Sequence, residues 1–310
     1  MNRIAAIDLG TNTVRIMVAE PAGEKMFKNI FSDQIITRLG EGLHVTGNLS
    51  HEAIVRTCDG IATLAERAGK YSPFELSIYA TSAAREASNT AELDEIIQKK
   101  TGVKLNVISW KEEARLSLKG AKLSTGDIGK MILFDIGGGS TEYILSSGKA
   151  HASAHGTNLG VVRLAETYIT KNPVDQWEYV HMVKEIKATV AEAFNRMDVA
   201  GNETLVGTAG TVTSLAAIAM ELDEYDPDKI KNYKLSYNMV ENMRKKFSAM
   251  TCKERGNIKY LAGGREDLII PGIAIILATM EQANADHILV SDYGLREGLI
   301  LDIFDKRAND

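Results

Sequence analysis

Acidic and hydroxyl-bearing residues follow a short apolar stretch at two places in this sequence, in the same order. Residues 4–19 read IAAIDLGTNTVRIMVA, and residues 131–146 read MILFDIGGGSTEYILS. The two blocks align without gaps and place Asp8 on Asp135, 127 residues apart. Glycine lets the backbone turn tightly and expose N–H groups to an anion, and hydroxyls add further donors. We therefore predict two phosphate-binding turns, formed by Gly10, Thr11, Asn12 and Thr13 and by Gly137, Gly138, Gly139, Ser140 and Thr141.

The aspartate that ends each apolar stretch predicts a bound cation. A carboxylate and a phosphate are both anions, so Asp8 and Asp135 suit a phosphate site if Mg²⁺ or its water shell lies between them. A duplicated unit of this kind also predicts two similar lobes that face each other across a cleft. Ordinary hairpin turns with capping side chains would explain one such block, whereas a repeated pair favours phosphate binding.

A second chemical segment, residues 80–85, reads ATSAAR and runs from a predicted strand into the start of a helix. Arginine is the side chain that best matches phosphate oxygens, so Arg85 is a candidate ligand of the substrate. The alternative is that Ser82 caps the helix and Arg85 lies on the surface. The spacing alone leaves both interpretations open.

Two adjacent glutamates begin the helix predicted from Trp110 to Ala121. If Ser109 is the N-cap, Glu112 occupies the capping-box position and shares a solvated, ion-pairing face with the basic residues that follow it. Glu113 points about 100° away, toward a drier side. A carboxylate there is the better general base for activating a water. Two surface glutamates favoured by the helix dipole are the alternative.

Two later turns also precede helices. Residues 205–213 read LVGTAGTVT, and a helix N-terminus behind such a turn can bind an anion through Gly207, Gly210 and Thr211. The segment is not a Walker motif, because no Gly-Lys-Ser/Thr follows the turn. Residues 291–298 read SDYGLREG and start the last predicted helix, where a structural role is as reasonable as a ligand contact.

Composition and charge narrow the class of protein. The chain has 310 residues, a net charge of −5 and two cysteines. Its longest apolar run, residues 268–280, is too short for a membrane span, so we expect a buried helix there. We expect a cytoplasmic protein that is neither a general nucleic-acid binder nor a membrane protein. The histidines form no metal-ligand spacing. One local exception is a basic tract, residues 229–265, which has ten basic and two acidic residues and could serve as a track for a polyanion.

Strand-like and helix-like patterns alternate along the whole chain, which predicts an α/β fold with mixed sheets. We expect a first lobe over residues 1–126 and a second over 127–310, joined by a linker at 124–127. The last helix could pack back on the first lobe.

Taken together, the motifs resemble those of the exopolyphosphatase/guanosine pentaphosphatase family, within the actin, sugar-kinase and heat-shock-chaperone ATPase superfamily. The resemblance covers nearly the whole chain and depends on seven segments in the expected order. They are DLGTNTVR (8–15), RLGEGL (38–43), ATSAAREASN (80–89), EEARLSLKG (112–120), FDIGGGSTEY (134–143), GTAGTVTSLA (207–216) and SDYGLREGL (291–299).

The resemblance implies two ribonuclease-H-like, actin-like lobes with the active site in the cleft between them. It also implies removal of terminal phosphates from inorganic polyphosphate, or of the 5′-terminal phosphate of guanosine pentaphosphate, with Mg²⁺ or Mn²⁺ as cofactor. The family's catalytic glutamate falls on Glu113, and an active-site arginine falls on Arg85. Metal-holding positions fall on Asp135 and Glu142, with Asp8 as a helper.

Two departures from the family pattern matter. Trp110 stands where the family often has glycine, just before the glutamate helix. The sequence also ends at Asp310, before the helical domain that longer members use for dimerisation and for long polymers. We therefore expect a preference for shorter chains or nucleotide-like substrates, and a homodimer by family analogy alone. A kinase-like phosphotransferase and a non-enzymatic polyphosphate or nucleotide sensor are the alternatives from other classes.

Overall fold

A computed structural model describes residues 3–23, 26–126, 128–148 and 152–309 of the chain. The residues group into two compact units. The first unit comprises Met1–Gly120 together with Gly294–Asp310, and the second comprises Ala121–Tyr293. The lobes expected from the sequence were residues 1–126 and 127–310. The observed units differ from this in that residues 121–126 group with the second unit and the C-terminal segment, 294–310, groups with the first. Asp127 lies outside the described residues.

The strands form two mixed sheets, one in each unit. Those of the first unit are β1 (Ile4–Leu9), β2 (Thr13–Pro21), β3 (Phe27–Ile36), β4 (Glu75–Ala80) and β5 (Leu105–Val107). Those of the second unit are β6 (Lys130–Ile136), β7 (Thr141–Ser147), β8 (Ala152–Thr157), β9 (Thr204–Thr208), β10 (Lys234–Ser236) and β11 (His287–Val290).

The helices of the chain follow in order. They are α1 (Leu43–Thr46), α2 (His51–Ala68), α3 (Ser82–Glu86), α4 (Thr90–Thr101), α5 (Trp110–Thr125), α6 (Val161–Tyr168), α7 (Gln176–Met197), α8 (Ala209–Ala219), α9 (Pro227–Ile230), α10 (Tyr237–Ser248), α11 (Cys252–Arg255), α12 (Ile269–Gln282) and α13 (Leu295–Asn309). A 3₁₀ turn, Gly69–Tyr71, follows α2.

The two sheets have the same strand order. The first reads β3-β2-β1-β4-β5, and the second reads β8-β7-β6-β9-β11 with β10 added at its edge. In each, the first strand is antiparallel to the second and parallel to the fourth. The duplication seen in the sequence is therefore a duplication of a whole sheet. The prediction of two ribonuclease-H-like lobes with mixed sheets flanked by helices is confirmed.

Each sheet is covered by helices because its strands present apolar side chains. In the first unit, Ile7 and Val14 belong to a core that includes Ile54 and Ile61 of α2. A separate cluster contains Ile4 and Met17 with Leu299 of α13, and this packing explains why the terminal helix groups with the first unit. Burial of such side chains is the main source of stability for these layers.

In the second unit, α12 is buried along most of its length, from Ile269 to Met280. This confirms the prediction that the apolar run at 268–280 is a buried helix. Among the described residues, no helix is both long enough and apolar enough to cross a membrane. The linker expected at 124–127 is partly helical, because α5 continues to Thr125, whose hydroxyl donates to the carbonyl of Ala121 at 3.1 Å.

Candidate active site

The two aligned turns have the same backbone hydrogen bond. The N–H of Gly10 donates to the carbonyl of Thr13 at 3.0 Å, and the N–H of Gly137 donates to the carbonyl of Ser140 at 2.9 Å. Each turn joins the first and second strands of its sheet and begins two residues after the aspartate, at Gly10 or Gly137. The gapless alignment of the two sequence blocks therefore corresponds to a local structural equivalence.

In the first turn, polar groups are largely turned inward. Thr11 is buried, and its carbonyl accepts from the N–H of Gly40 at 2.9 Å. The carbonyl of Asn12 accepts from the N–H groups of Thr37 and Arg38, both at 3.0 Å. The buried side-chain oxygen of Asn12 meets no hydrogen-bond donor of the described residues. It is an acceptor, so it would suit a water or a cation better than a phosphate.

In the second turn, the hydroxyls are engaged inside the unit. Ser140 Oγ donates to Glu142 Oε1 at 2.7 Å. Thr141 is fully buried, and its hydroxyl donates to the carbonyl of Leu159 at 2.5 Å. Thr141 therefore holds the neighbouring segment in place, and its side chain is not presented to a ligand. Gly137 and Gly138 are half-buried and leave their backbone accessible.

The two repeated aspartates have different cross-strand partners. Asp135 lies opposite Glu142 in the register of β6 and β7, whereas Asp8 lies opposite Arg15 in the register of β1 and β2. Directly opposed residues project on the same face of a sheet, where like charges repel. Glu142 is only 2% exposed, so water does little to screen that repulsion.

A divalent cation fits the Asp135–Glu142 pair. Mg²⁺ is typically held by one or two carboxylates together with waters and substrate phosphates, and not by a cage of protein ligands. The part of the chain that the structure describes contains no cluster of three or more His, Cys, Asp or Glu side chains that could hold a metal ion by themselves. Asp8 belongs to the first unit and the other two carboxylates to the second.

The structure brings Glu113 and Arg85 together. Arg85 Nη1 donates to Glu113 Oε2 at 2.6 Å and to the carbonyl of Ile108 at 3.1 Å. Both side chains are mostly buried, with 20% of the arginine and 10% of the glutamate exposed. Charge-assisted hydrogen bonds of this length are strong and directional. The surface interpretation of Arg85 is therefore excluded, as is capping by Ser82, whose hydroxyl donates instead to Glu86.

The neighbouring Glu112 has a different environment on the same helix. Its N–H is capped by Ser109 Oγ at 3.2 Å, and its carboxylate accepts two hydrogen bonds from Arg115. Those bonds hold the pKa of Glu112 below its usual range. Arg115 also pairs with Asp302 of α13 at 2.7 Å. The predicted division between an ion-pairing Glu112 and a drier Glu113 is thus observed.

The third turn lies beside Asp135 in the second unit. Asp135 pairs with Thr208 in the parallel register of β6 and β9, and α8 begins at the next residue. Ala209 has φ +75°, a left-handed conformation that costs energy for a residue with a side chain. Gly210 follows this strained residue directly, and Gly207 precedes it by two positions. Strain of this kind is often found at ligand-binding turns.

The last motif, 291–298, has mainly structural contacts. The N–H of Ser291 donates to the carbonyl of Gly207 at 2.9 Å, and Thr208 Oγ1 donates to the carbonyl of Tyr293 at 3.2 Å. Glu297, 2% exposed, accepts from the N–H of Gly294 and from Arg296. The segment therefore supports the third turn from the side of β11.

Two glycines that the sequence interpretation did not single out contact the first and second turns. Gly40 follows β3 and Gly160 follows β8, and each is preceded by a buried leucine, Leu39 or Leu159. A signal was present in the sequence, because Leu-Gly recurs after the third strand of each repeat. It was missed because β3 and β8 carry no clear pattern of alternating apolar residues.

The fold and the positions of the carboxylates can now be related to a known protein family. A family model described as the Ppx/GppA phosphatase family matches residues 17–307. The chain belongs to the Ppx/GppA phosphatase family. The resemblance based on the seven motifs is therefore confirmed, as is, at the level of the family, the prediction of a hydrolase of phosphoric anhydrides.

Members of the Ppx/GppA family match this chain along its length. Exopolyphosphatase 2 of Mycobacterium tuberculosis is 30% identical, over 98% of this chain and 99% of that protein. The guanosine-5′-triphosphate,3′-diphosphate pyrophosphatase of Aliivibrio fischeri is 28% identical over 99% of this chain, which spans only 60% of that longer relative. The crystal structure of the Aquifex aeolicus Ppx/GppA family member superposes with a TM-score of 0.82 at 28% identity, over 98% of both chains.

Proposed function

We propose that this Ppx/GppA protein is an exopolyphosphatase that hydrolyses the terminal phosphate of inorganic polyphosphate. The observation that carries the proposal is the Glu113–Arg85 pair, in which a mostly buried carboxylate is held at 2.6 Å by a guanidinium. A general base needs such positioning, since proton transfer requires hydrogen-bond reach to the attacking water. The full-length match to a relative named exopolyphosphatase supports the substrate class.

In the proposed reaction, Glu113 accepts a proton from a water that attacks the terminal phosphorus in line with the leaving oxygen. Arg85 orients the Glu113 carboxylate and stabilises charge that develops on the equatorial phosphate oxygens. Electrostatic stabilisation of that charge is the usual source of rate in phosphoryl transfer. Backbone N–H groups of the turns at 10–13, 137–139 and 207–211 would bind the phosphates.

Asp135 and Glu142 are the residues that we propose to hold Mg²⁺ or Mn²⁺. They lie opposite each other in the register of β6 and β7, and a cation would relieve the repulsion between them. When bound, the metal ion would neutralise phosphate charge near the turns.

The second candidate is guanosine pentaphosphate 5′-phosphohydrolase. The relative in Aliivibrio fischeri, whose name describes a guanosine-5′-triphosphate,3′-diphosphate pyrophosphatase, favours it. Both reactions cleave a terminal phosphoanhydride bond and need the same base, arginine and metal carboxylates. They differ in what must be recognised beyond the terminal phosphates.

The test is phosphate release in Mg²⁺ from short polyphosphate, long polyphosphate, guanosine pentaphosphate and ATP, each also with EDTA in place of the metal. We expect release from polyphosphate that is lost with EDTA. Release from guanosine pentaphosphate alone would establish the second candidate. Transfer of phosphate from ATP to a small acceptor would indicate a kinase, and tight binding without any release would indicate a sensor.

A further inference from the structure

The segment after the third strand of each repeat packs against the phosphate turn of the same repeat. In the first unit, the N–H of Gly40 donates to the carbonyl of Thr11 at 2.9 Å. In the second unit, the N–H of Val162 donates to the carbonyl of Gly138 at 2.9 Å. Thr11 and Gly138 are aligned positions in the sequence repeat. The same carbonyl of the turn is therefore held in both units, by segments that read TRLG (37–40) and TNLG (157–160).

Holding that carbonyl sets the direction of the next N–H group. In a trans peptide, the C=O of one residue and the N–H of the following residue point in opposite directions. Neither turn contains a cis peptide. The N–H groups of Asn12 and Gly139 must therefore point away from the segments that hold Thr11 and Gly138. These two donors are again aligned positions of the repeat.

Both contacts require a residue without a side chain. A Cβ atom at Gly160 would lie 2.2 Å from the carbonyl oxygen of Gly138 and 2.2 Å from the carbonyl carbon of Gly139. A Cβ atom at Gly40 would lie 2.2 Å from Cγ2 of Thr11. Gly160 has φ −109° and ψ 142°, which any residue can adopt, so space and not conformation demands glycine there.

We propose that Gly40 and Gly160 are positioning residues for phosphate binding. Their missing side chains let the adjoining segments hold the turns so that the N–H groups of Asn12 and Gly139 face the substrate phosphates. The proposal rests on the proposed function only for the identity of the substrate. The phosphate-binding geometry itself can be measured without turnover.

The decisive experiment uses a difference between Gly40 and Gly160 in the atoms that an added Cβ would meet. At Gly160 the obstacle is backbone, so no side-chain change can relieve it. At Gly40 the obstacle is one methyl group, which Thr11→Ser removes, and the next neighbours of the new Cβ are 3.5 Å away. We therefore propose a double-mutant cycle of Gly40→Ala and Thr11→Ser, read out as the dissociation constant of pyrophosphate in Mg²⁺ by calorimetry.

Gly40→Ala alone should weaken pyrophosphate binding about tenfold, within the range expected from overpacking a tight contact. In the Thr11→Ser background, the same change should weaken binding less than about twofold. Gly160→Ala should weaken binding at least about tenfold in either background. Gly69→Ala is the matched control, because Gly69 has φ −53° and open space around it.

Thermal unfolding of every variant separates positioning from folding. A lowered unfolding temperature with unchanged pyrophosphate affinity would overturn the proposal, as would an effect of Gly40→Ala that persists undiminished with Thr11→Ser. If Gly160→Ala fails to fold, the cycle at Gly40 still decides the question. A wild-type protein that binds pyrophosphate but releases no phosphate from polyphosphate would refute the proposed function and leave the cycle interpretable.

Discussion

The two strand-turn-strand blocks have the same backbone geometry at the turn, but the aspartate of each block faces a residue of different charge. Both turns have the same Gly-to-hydroxyl-residue hydrogen bond, at 3.0 and 2.9 Å, and both follow an aspartate near the end of a central strand. Asp8 lies opposite Arg15, whereas Asp135 lies opposite Glu142. A facing arginine favours the charged form of an aspartate, whereas two facing carboxylates repel each other and make a site that a cation would stabilise. This difference in charge is why we propose the metal site in the second unit.

In the proposed mechanism, the first unit provides the general base and the arginine. It contains Glu113 and Arg85, which contact each other and lie on helices outside the repeated block. The two repeats share the geometry of the proposed phosphate turns, whereas the residues around each repeat differ in chemistry. The proposed base and its arginine belong to the first unit, and the proposed metal carboxylates belong to the second.

The largest expected effect comes from removing the base. Glu113→Gln should lower kcat for phosphate release at least about 10²-fold, the low end of general-base contributions, and leave the metal requirement unchanged. The matched control is Glu112→Gln on the same helix, whose carboxylate pairs with Arg115 on the surface. The control should retain kcat within about threefold, since exposed pairs contribute little. Equal losses in the two variants would remove the distinction between these glutamates.

A smaller effect should separate the two aspartates. Asp135→Asn should weaken Mn²⁺ binding in the presence of pyrophosphate at least about tenfold, as even outer-shell changes at metal sites cost 10–100-fold. Asp8→Asn should weaken it less, because Asp8 faces Arg15 and not a second carboxylate. Electron paramagnetic resonance of free Mn²⁺ measures both constants directly. A greater loss with Asp8→Asn would place the metal in the first unit instead.

A third test concerns the basic tract, 229–265. This concentration of positive charge belongs to the second unit and lies outside the two repeated blocks. All three of its arginines have structural partners. Arg255 is buried and donates to backbone carbonyls, Arg244 pairs with Glu241 at 2.6 Å, and Arg265 donates to Ser214 Oγ at 2.8 Å. Lys245 and Lys246 are exposed. The track hypothesis therefore depends on the lysines.

Reversing Lys245 and Lys246 to glutamate should raise KM about three- to tenfold for long polyphosphate and little for short chains, at low salt. The control makes the same charge change at Lys99 and Lys104, two exposed lysines of the first unit. Steady-state kinetics at several chain lengths decides the outcome. An equal rise of KM at every length would contradict the track.

The smallest expected effect concerns the free energy of unfolding and the ion pairs on the Glu112 face of α5. Asp302 accepts hydrogen bonds from Arg115 and Lys119, and Lys306 lies 2.9 Å away. Burial alone would raise the pKa of Asp302, but its bonds with Lys306 and Arg115 outweigh burial and lower it to about 2. A depressed folded-state pKa contributes stability above the unfolded pKa, which is lost as pH falls through the folded value.

Asp302→Asn should therefore destabilise the protein by at most about 2 kcal/mol at pH 7. The difference from wild type should fall to roughly half by pH 3. Denaturant unfolding at several pH values provides the measurement. Catalysis should change little, because this network stabilises the Glu112 side of the helix; a difference in stability independent of pH would mean that the ion pairs are not its cause.

Much of this arrangement could be predicted from the sequence, for physical reasons. The spacing of Asp8 and Asp135 predicted the duplicated sheet, because strand-turn-strand blocks have few alternative folds. The helical angle between Glu112 and Glu113 predicted their different environments. The apolar run at 268–280 predicted a buried helix, since no polar face was available for solvent.

Other features depend on contacts that sequence patterns do not encode. Thr141 resembles a phosphate ligand, but its hydroxyl is turned toward Leu159 because residues of β7 alternate between faces. The return of α13 to the first unit depends on Leu299 meeting Ile4, a contact across almost the whole chain. Gly40 and Gly160 look like ordinary loop glycines until the turn that each contacts is known.

The proposal that the base lies in the first unit and the metal ligands lie in the second is tested most simply by titrating phosphate release with Mg²⁺. The titration is made for wild type, Glu113→Gln and Asp135→Asn. We expect Glu113→Gln to lower the maximal rate at an unchanged Mg²⁺ midpoint, and Asp135→Asn to move the midpoint to a higher Mg²⁺ concentration. A shifted midpoint in Glu113→Gln, or an unshifted one in Asp135→Asn, would contradict the assignment of base and metal to separate units.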